Sequence, residues 1–458
     1  MKYASLLRHS LLLASVTAFG LGCGDSNTTA DAGATADAGG PAPTVIASSP
    51  TGHDRLFGVA WGASGRFYGV GVLADSTEST ADVRTLVRRF NADGTPDMTW
   101  GTNGVATHNL AVGAGGEVAR GVVVQSTGKV VVLATVEHAG ATDARDRDVA
   151  LARFNADGTL DTAFGTGGVV TLDLSDGVLD GETYVADSAW ALEAYPDDRL
   201  VISGSRKRDG GMDSDFAIVR LSADGARDMT FGTAGVASVD VNNRSASART
   251  ATILADGSIV GAGYMTDGGV VKPVLFKLTP AGQLDTTFGT GGIYTETVLP
   301  VATEAYAARL QGTSFVTAGY GRAASTENLD WLSLRISATG VRDTSYGTMG
   351  VARLDRMAFN DNARDLAILP DNRVLMVGGG RSSETNSDGM IAMLTADGQR
   401  DATFGANGVR VFDFGGASDF FWAVSISPDQ SRAALVGTRA VAAGMGNDDG
   451  VVFVLPLR

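Results

Sequence analysis

The sequence contains a single cysteine, Cys23, and only four histidines among its 458 residues. One cysteine excludes an intramolecular disulfide and a cysteine-ligated metal cluster, so packing must hold the fold together. His53, His108 and His138 lie in different contexts and show no metal-ligand spacing. The Gly-x-Ser-x-Gly pattern of one class of hydrolase is also missing. We therefore predict no catalytic residue, no cofactor and no metal site from the sequence.

Positive charge and proline are also scarce. The chain has 36 lysines and arginines against 51 acidic residues, which gives a formal net charge of −15. Nucleic-acid binding needs clustered basic residues, so nucleic acid is excluded as a partner. The 11 prolines contrast with 61 glycines, a proportion typical of many tight turns. Together with the valine-rich runs, this composition predicts an all-β protein.

The N-terminal segment has the pattern of an export signal. Lys2 and Arg8 flank an apolar stretch, residues 11–19, that is too short to span a bilayer, and Gly20-Leu-Gly-Cys23 follows. This segment resembles a bacterial lipoprotein signal, which is cleaved before a cysteine that becomes lipidated. The resemblance implies a signal peptide over residues 1–22, lipid attachment (palmitate) at Cys23 and anchoring to the cell envelope. Gly24, in place of an aspartate, favours the outer membrane. The alternative is an ordinary secretory signal with an incidental cysteine.

Small polar residues dominate residues 23–43, where no apolar periodicity is found. This composition is typical of a flexible tether. A folded domain is then expected over residues 44–458.

A repeated eleven-residue motif dominates this domain. It ends in Asp-x-x-aromatic-Gly and recurs about every 60 residues, at 91–101, 155–165, 222–232, 279–289, 337–347 and 395–405. Short strand patterns with Asp-Gly-type turns separate the copies, four strands in each repeat. The third strand is apolar on both faces, as in a strand that is buried between neighbouring sheets. It recurs seven times, which predicts a seven-bladed β-propeller of four-stranded antiparallel blades.

The position of the first strand in this ring stays open. Thr44-Val-Ile-Ala47 supplies a further strand that either completes the first blade or pairs with the last one. Closure of the ring by the two termini is favoured, because it removes two exposed sheet edges.

The motif resembles the delta-60 repeats of bacterial exported proteins over roughly residues 50 to 458. This resemblance implies a propeller and brings no established activity with it.

The second aspartate of each motif is expected to form an ion pair. It is preceded by a cation on the strand before it in five copies: Arg89, Arg153, Arg220, Lys277 and Arg335. The sixth copy has Met393 at that position. Calcium bound by the Asp-rich loops is the rival interpretation. The aromatic residue before the final glycine is expected to pack between blades.

One variable position on the second strand predicts a binding site. Alignment of the repeats places Phe57, Arg120, Trp190, Arg249, Arg364 and Trp422 at equivalent points, with the fifth repeat falling near Glu304. A ring of arginine and tryptophan would suit an anion, a carbohydrate or a peptide. Packing between blades is the alternative role for these residues.

The sequence as a whole predicts a monomeric binding or scaffold module on the cell envelope, held at the membrane by its lipid and contacting a glycan or a protein. A propeller enzyme that acts on extracellular glycans or peptides is one alternative. A purely structural or adhesive envelope component is the other.

Overall fold

The computed structural model describes residues 44–46, 52–77, 82–111, 116–137, 147–180, 183–356, 359–383, 386–415, 418–440 and 448–457. Every regular element in these ranges is a β-strand, which confirms the predicted all-β class. No helix with the length and apolar character needed to cross a membrane is found among these residues. The predicted signal, Cys23 and the tether lie outside the described residues.

The strands vary from two to ten residues in length. In chain order they are β1 (Thr44–Ile46), β2 (Asp54–Trp61), β3 (Phe67–Ala74), β4 (Val83–Phe90), β5 (Val105–His108), β6 (Glu117–Val124), β7 (Val130–Glu137), β8 (Arg147–Phe154), β9 (Val169–Leu172), β10 (Val178–Asp180), β11 (Thr183–Val185), β12 (Ser188–Ala194), β13 (Leu200–Lys207), β14 (Ser214–Leu221), β15 (Val236–Val239), β16 (Ala246–Ile253), β17 (Ile259–Asp267), β18 (Val270–Leu278), β19 (Ile293–Thr295), β20 (Ala302–Gln311), β21 (Ser314–Arg322), β22 (Asp330–Ser333), β23 (Arg335–Ile336), β24 (Ala352–Leu354), β25 (Asp361–Ile368), β26 (Val374–Arg381), β27 (Ser387–Leu394), β28 (Val409–Phe412), β29 (Ser418–Ile426), β30 (Arg432–Ala440) and β31 (Asp448–Pro456).

Consecutive strands pair antiparallel to form four-stranded meanders. The meanders β2–β5, β6–β9, β12–β15, β16–β19 and β25–β28 follow this pattern without interruption. In the meander that begins at β20, the third strand is divided into β22 and β23, which both pair with β21. Single parallel bridges such as Val271 to Ala302 join some neighbouring meanders.

The last meander takes its fourth strand from the N-terminal end of the chain. β29, β30 and β31 pair in order, and β1 pairs antiparallel with β31, with Thr44 opposite Val452. This pairing decides between the two arrangements that the sequence left open. β1 therefore completes the last meander and not the first one.

An apolar core fills each space between successive meanders. Each meander begins one strand later than the sequence repeat, so the predicted second and third strands of a repeat are the first and second strands of a meander. The second strands β3 and β26 are buried along almost their whole length, because meanders pack on both of their faces. The last meander packs on the first through Ala434 and Val436, which lie in one core cluster with Phe67. Complete burial of a side chain such as Val436 or Phe67 contributes about 2 kcal/mol to the free energy of unfolding.

The predicted ion pair is present in every motif that carries the cation. Arg153 Nε lies 2.7 Å from Asp161, and Lys277 Nζ lies 2.9 Å from Asp285. The matching distances in the other three are 2.9 Å at Arg89, 2.8 Å at Arg220 and 2.7 Å at Arg335. In the sixth motif, Asp401 pairs with Arg373, just before β26, at 3.0 Å. Arg66 and Lys129, just before β3 and β7, make the same contact in the first two motifs, in addition to the strand cation.

The same aspartates also fold the turn. Asp285 accepts hydrogen bonds from the backbone N–H (3.1 Å) and the hydroxyl (2.6 Å) of Thr287, and other motifs repeat this contact. These contacts support the structural interpretation of the motif over the calcium interpretation, since the oxygens are already engaged within the loop.

The motif aromatic packs between meanders, as predicted. Phe164 is fully buried, and the glycine of the next motif, Gly225, sits so close that an added Cβ would lie 2.9 Å from its ring. Gly225 also has φ = +87°, which disfavours any other residue there. Phe404 is only half-buried, because no further motif follows it in the last meander.

Candidate functional site

The first strand of every meander carries a β-bulge at the same point. The register shifts by one residue in β2, β6, β12, β16, β20, β25 and β29. A bulge leaves its extra residue out of the hydrogen-bond ladder and turns its side chain away from the pleat. In the described part of the chain the residues at these bulges, here named the bulge ring, are Phe57, Arg120, Trp190, Arg249, Tyr306, Arg364 and Trp422.

The bulge ring contains all five residues predicted from the sequence as ligand-binding candidates, together with Phe57. For the fifth repeat the alignment gave only a position near Glu304, because the gap before it was uncertain. The bulge in β20 falls two residues later, at Tyr306. β20 is the longest strand in the described part of the chain, at ten residues, and the alignment could not fix the gap before it.

Arginine and aromatic residues alternate around most of the ring and stack on one another. The Arg120 guanidinium carbon lies 4.4 Å from the centre of the Trp190 ring and 5.3 Å from that of Phe57. Arg249 lies 4.0 Å from the centre of the same Trp190 ring. These distances are within the range of cation–π attraction, which holds the side chains in a layer.

The second half of the ring continues the same stack. Arg249 lies 4.5 Å from the Tyr306 ring, and Arg364 lies 4.4 Å from Tyr306 and 5.2 Å from Trp422. Trp422 then meets Phe57 edge-on, with ring centres 5.4 Å apart. The stack thus links the first and last meanders.

The three arginines differ in how their charge is balanced. Arg249 pairs with Glu304, with Nη2 3.0 Å and Nε 3.1 Å from the same carboxylate oxygen. Arg120 and Arg364 have no carboxylate at ion-pair distance among the described residues, and the buried Nε of Arg364 has no hydrogen-bond partner there. Burial lowers the pKa of Arg120, and the charges of Arg249 and Arg364 lower it further. Although burial opposes it, the neighbouring Tyr306, Tyr320 and Glu304 raise the pKa of Arg364. Arginine stays protonated in proteins, so two cations without an ion-pair partner remain in this layer.

The bulge ring forms the floor of a cavity of about 630 Å³. On each first strand that lines the cavity, the lining begins at the ring residue and continues toward the C-terminal end of the strand. The lining side chains at the fourth position after the ring are apolar: Trp61, Val124, Ala194, Leu310, Ile368 and Ile426. Because Leu310 is 40% exposed, this level is called the mouth of the cavity. A charged floor therefore lies beneath an apolar mouth.

Three further charged residues line the wall between floor and mouth. Arg309 Nη2 lies 3.2 Å from Asp365, which also accepts hydrogen bonds from the backbone N–H groups of Leu366 (2.9 Å) and Val424 (3.1 Å). Glu193 makes no ion pair or hydrogen bond with the described residues. Burial raises the pKa of both Glu193 and Asp365. Sequence reasoning missed all three, because it compared only one position per repeat.

A second set of acids lies at the start of the first strands, three residues before the ring. Asp187 accepts hydrogen bonds from the backbone of Ser175 (3.1 Å) and from its hydroxyl (2.6 Å), and Asp419 caps the backbone N–H of Phe414 (2.6 Å). These caps tie β12 and β29 to the loops before them. These acids could have been found in the sequence, because each lies three residues before a ring residue. They are Asp54, Glu117, Asp187, Asp361 and Asp419.

Burial raises the pKa of several of these caps. The pKa is about 7 for Glu117 and Asp419 and about 8 for Asp361. Hydrogen bonds from neighbouring backbone N–H groups oppose the shift without cancelling it.

Two groups of acids bring carboxylate oxygens within 4.8 Å of one another: Asp148, Asp173 and Asp187, and Asp213, Asp215 and Asp240. Hard cations favour such oxygens. In the first group, Asp187 is occupied by the Ser175 cap. In the second, Arg208 Nε lies 2.8 Å from Asp213 and its Nη1 lies 3.8 Å from Asp240, so a guanidinium already balances the charge.

Comparison with protein families supports the repeat architecture. The model of a family described as "domain of unknown function (DUF5122) beta-propeller" matches residues 125–164, 196–231 and 254–288. Each match ends at a motif aromatic and includes the two strands before it. The chain therefore carries repeats similar to those of a β-propeller family of unknown function. No curated protein matches the sequence significantly.

Several solved structures are similar to the chain at low identity. Sqt1 from Chaetomium thermophilum, bound to the N-terminus of the ribosomal protein L10, is 10% identical with a TM-score of 0.44, over 88% of this chain and 98% of Sqt1. The polysaccharide lyase Uly1 is 10% identical with a TM-score of 0.47, over 89% of this chain and 90% of Uly1. The β-propeller domain of the trilobed protease from Pyrococcus furiosus is 8% identical with a TM-score of 0.38, over 74% of this chain and 82% of that one.

Proposed function

We propose that the repeats are of the delta-60 type and close into a seven-bladed propeller that acts as a binding module on the cell envelope. Closure is supported by the pairing of β1 with β31 and by the core that the last meander shares with the first. The cavity above the bulge ring then lies in the central channel. It receives the ligand, while the repeated motif holds the scaffold.

The observation that carries this proposal is the charge balance of the ring. Leaving a buried charge without a counter-charge is costly, so a scaffold gains nothing from Arg120 and Arg364 unless a ligand supplies the balance. Their exposure to an open cavity gives a ligand access to them. Cavities of this size, 300 to 1,000 Å³, are typical of small-molecule and peptide-end sites.

A thermal melt of the protein with a panel of envelope glycans and short peptides tests this function. A ligand present at 100 times its dissociation constant should stabilise the fold by about 2.7 kcal/mol. The ligand-induced rise in melting temperature should be lost in Trp422→Ala, which removes one of the stacked side chains of the bulge ring. A panel without any shift would favour a purely structural envelope component.

The proposal also covers the cellular localisation of the module. We propose that the chain is a monomer that is exported and lipidated at Cys23, with residues 23–43 as its tether to the outer membrane. Cys23→Ser should move the protein from the membrane fraction to the soluble periplasmic fraction, whereas the neighbouring Ser26→Ala should leave it in place. Membrane retention of the cysteine variant would contradict the lipid anchor.

One observation favours a propeller enzyme as the second candidate. Glu193 faces the cavity with a raised pKa, as a general acid would, and Asp365 lies in the same wall. Glu193→Gln should then abolish turnover of a glycan or peptide that the protein still binds. Unchanged turnover in Glu193→Gln would contradict this enzyme function.

A further inference from the structure

The cavity combines features that narrow its ligand to one chemical class. Its floor carries two guanidinium groups, those of Arg120 and Arg364, without a carboxylate partner among the described residues. Both stack on rings that hold them in place, at 4.4 Å from Trp190 and 4.4 Å from Tyr306. A guanidinium whose position is already fixed loses little entropy when it binds an anion.

With Glu193 ionised, the charges that line the cavity favour a single negative charge on the ligand. Four arginines line it, and Arg249 and Arg309 are balanced by Glu304 and Asp365. The remaining charges are two cations on the floor and Glu193 in the wall, which sum to one positive charge when Glu193 is ionised. With Glu193 ionised, a monoanion restores neutrality and a dianion such as a phosphate monoester would be repelled, whereas a protonated Glu193, the state that a general acid needs, would leave two positive charges.

The apolar side chains at the mouth favour a ligand whose body is apolar. Side chains such as Trp61, Leu310, Ile368 and Ile426 surround the opening, and Leu310 is 40% exposed. An apolar ligand body would cover these surfaces and exclude water from the floor. Exclusion of water strengthens the attraction between an anion and the guanidinium groups.

Building on the binding function proposed above, we infer that the cavity takes the carboxylate end of an organic acid with an apolar body. The carboxylate lies on the floor between Arg120 and Arg364, where the planar guanidinium groups can donate paired hydrogen bonds to its two oxygens. The apolar body extends between the aliphatic walls toward the mouth. A short-chain carboxylic acid and the C-terminus of an apolar peptide share this chemistry.

Calorimetric titration of the full-length protein tests this inference with two matched pairs of probes. The first pair is octanoate and octanamide, which have the same body and differ in charge. The second is acetyl-Ala-Val-Leu with a free carboxylate and the same peptide as its C-terminal amide. Each acid should bind at least about tenfold more tightly than its amide, because hydrogen bonds to charged groups contribute that much. Tighter binding of octanoate identifies a small acid as the source, and tighter binding of the peptide identifies a peptide C-terminus.

Variants assign the effect to the two arginines. Arg120→Met and Arg364→Met should each weaken octanoate binding by about tenfold or more, whereas Arg364→Lys keeps the charge and should lose less. Arg84→Met is the control, since Arg84 lies on β4, outside the cavity, and pairs with the exposed Asp75. If a methionine variant does not fold, the lysine variant still separates charge from packing.

Equal binding of the acids and their amides would overturn the inference, as would the absence of binding by either acid. A neutral glycan or peptide that binds in the cavity would then leave the binding function intact with a different ligand class. Failure of the whole ligand panel would contradict the binding function itself.

Discussion

Arginine side chains stack on aromatic rings in two regions of this protein, the repeated motif and the bulge ring, but their surroundings differ. In the motif, Arg153 lies 4.6 Å from the Phe164 ring and also bonds Asp161, Gln125 and the carbonyl of Ala223. In the ring, Arg364 has similar aromatic contacts, but no hydrogen bond or ion pair with the described residues. The comparison separates arginines that hold the fold from arginines that are kept available for something else.

The largest effect is expected when the motif arginine loses its counter-charge. Asp161→Ala leaves Arg153, whose side chain is 4% exposed, without its main partner and should cost about 3 kcal/mol of unfolding free energy. Urea denaturation measures this loss. Asp224→Ala is the control: Asp224 lies 3.0 Å from the same guanidinium but is 78% exposed, so its loss should cost less than about 1 kcal/mol. Equal losses in the two variants would contradict the role of the buried pair.

The next effect concerns the glycine that covers the motif aromatic. Gly225→Ala should cost about 2 to 3 kcal/mol, because φ is +87° and the new Cβ would lie 2.6 Å from a methyl group of Val170. Gly167 also has a positive φ, +62°, but nothing lies within 4 Å of an added Cβ. Gly167→Ala should therefore cost only about 1 kcal/mol in the same denaturation experiment. A similar cost at both positions would show that packing between meanders adds nothing.

A smaller effect is expected from pH. Burial raises the pKa of Asp361 from 3.8 to about 8, so the folded state holds this proton more tightly than the unfolded state does. Its contribution to stability is complete below pH 3.8 and is lost as the pH rises toward 8. The melting temperature should fall over this range and fall less in Asp361→Asn. Asp93→Asn is the control, because hydrogen bonds from Thr95 lower the pKa of Asp93. A wild-type slope in Asp361→Asn would contradict this account.

Much of the scaffold could be predicted from the sequence, because repetition makes local chemistry visible. Motif pairs such as Arg153 with Asp161 are eight residues apart in each copy, so the cation and the acid could be matched without a structure. Arg373 was missed because it reaches Asp401 from a different strand, 28 residues away. The predicted ring residues were found because a bulge occurs at the same point of every first strand.

The chemistry of the cavity wall could not be predicted in the same way. Glu193, Arg309 and Asp365 each occur in one repeat only, and they meet because separate meanders bring them to one cavity. Sequence comparison within the repeats cannot show a contact between residues that do not recur. Tyr306 was missed for a related reason, since the gap before it occurs in its own repeat alone.

The most direct test of the distinction between the two regions is urea denaturation of Arg120→Met/Arg364→Met beside Arg153→Met. Methionine keeps the stem of each side chain and removes the charge. The account predicts that Arg153→Met loses about 3 kcal/mol, because Asp161 is left without this buried partner, whereas the double ring variant is at least as stable as the wild type. A double ring variant that loses as much stability as Arg153→Met would contradict the account, because the ring arginines would then be part of the scaffold.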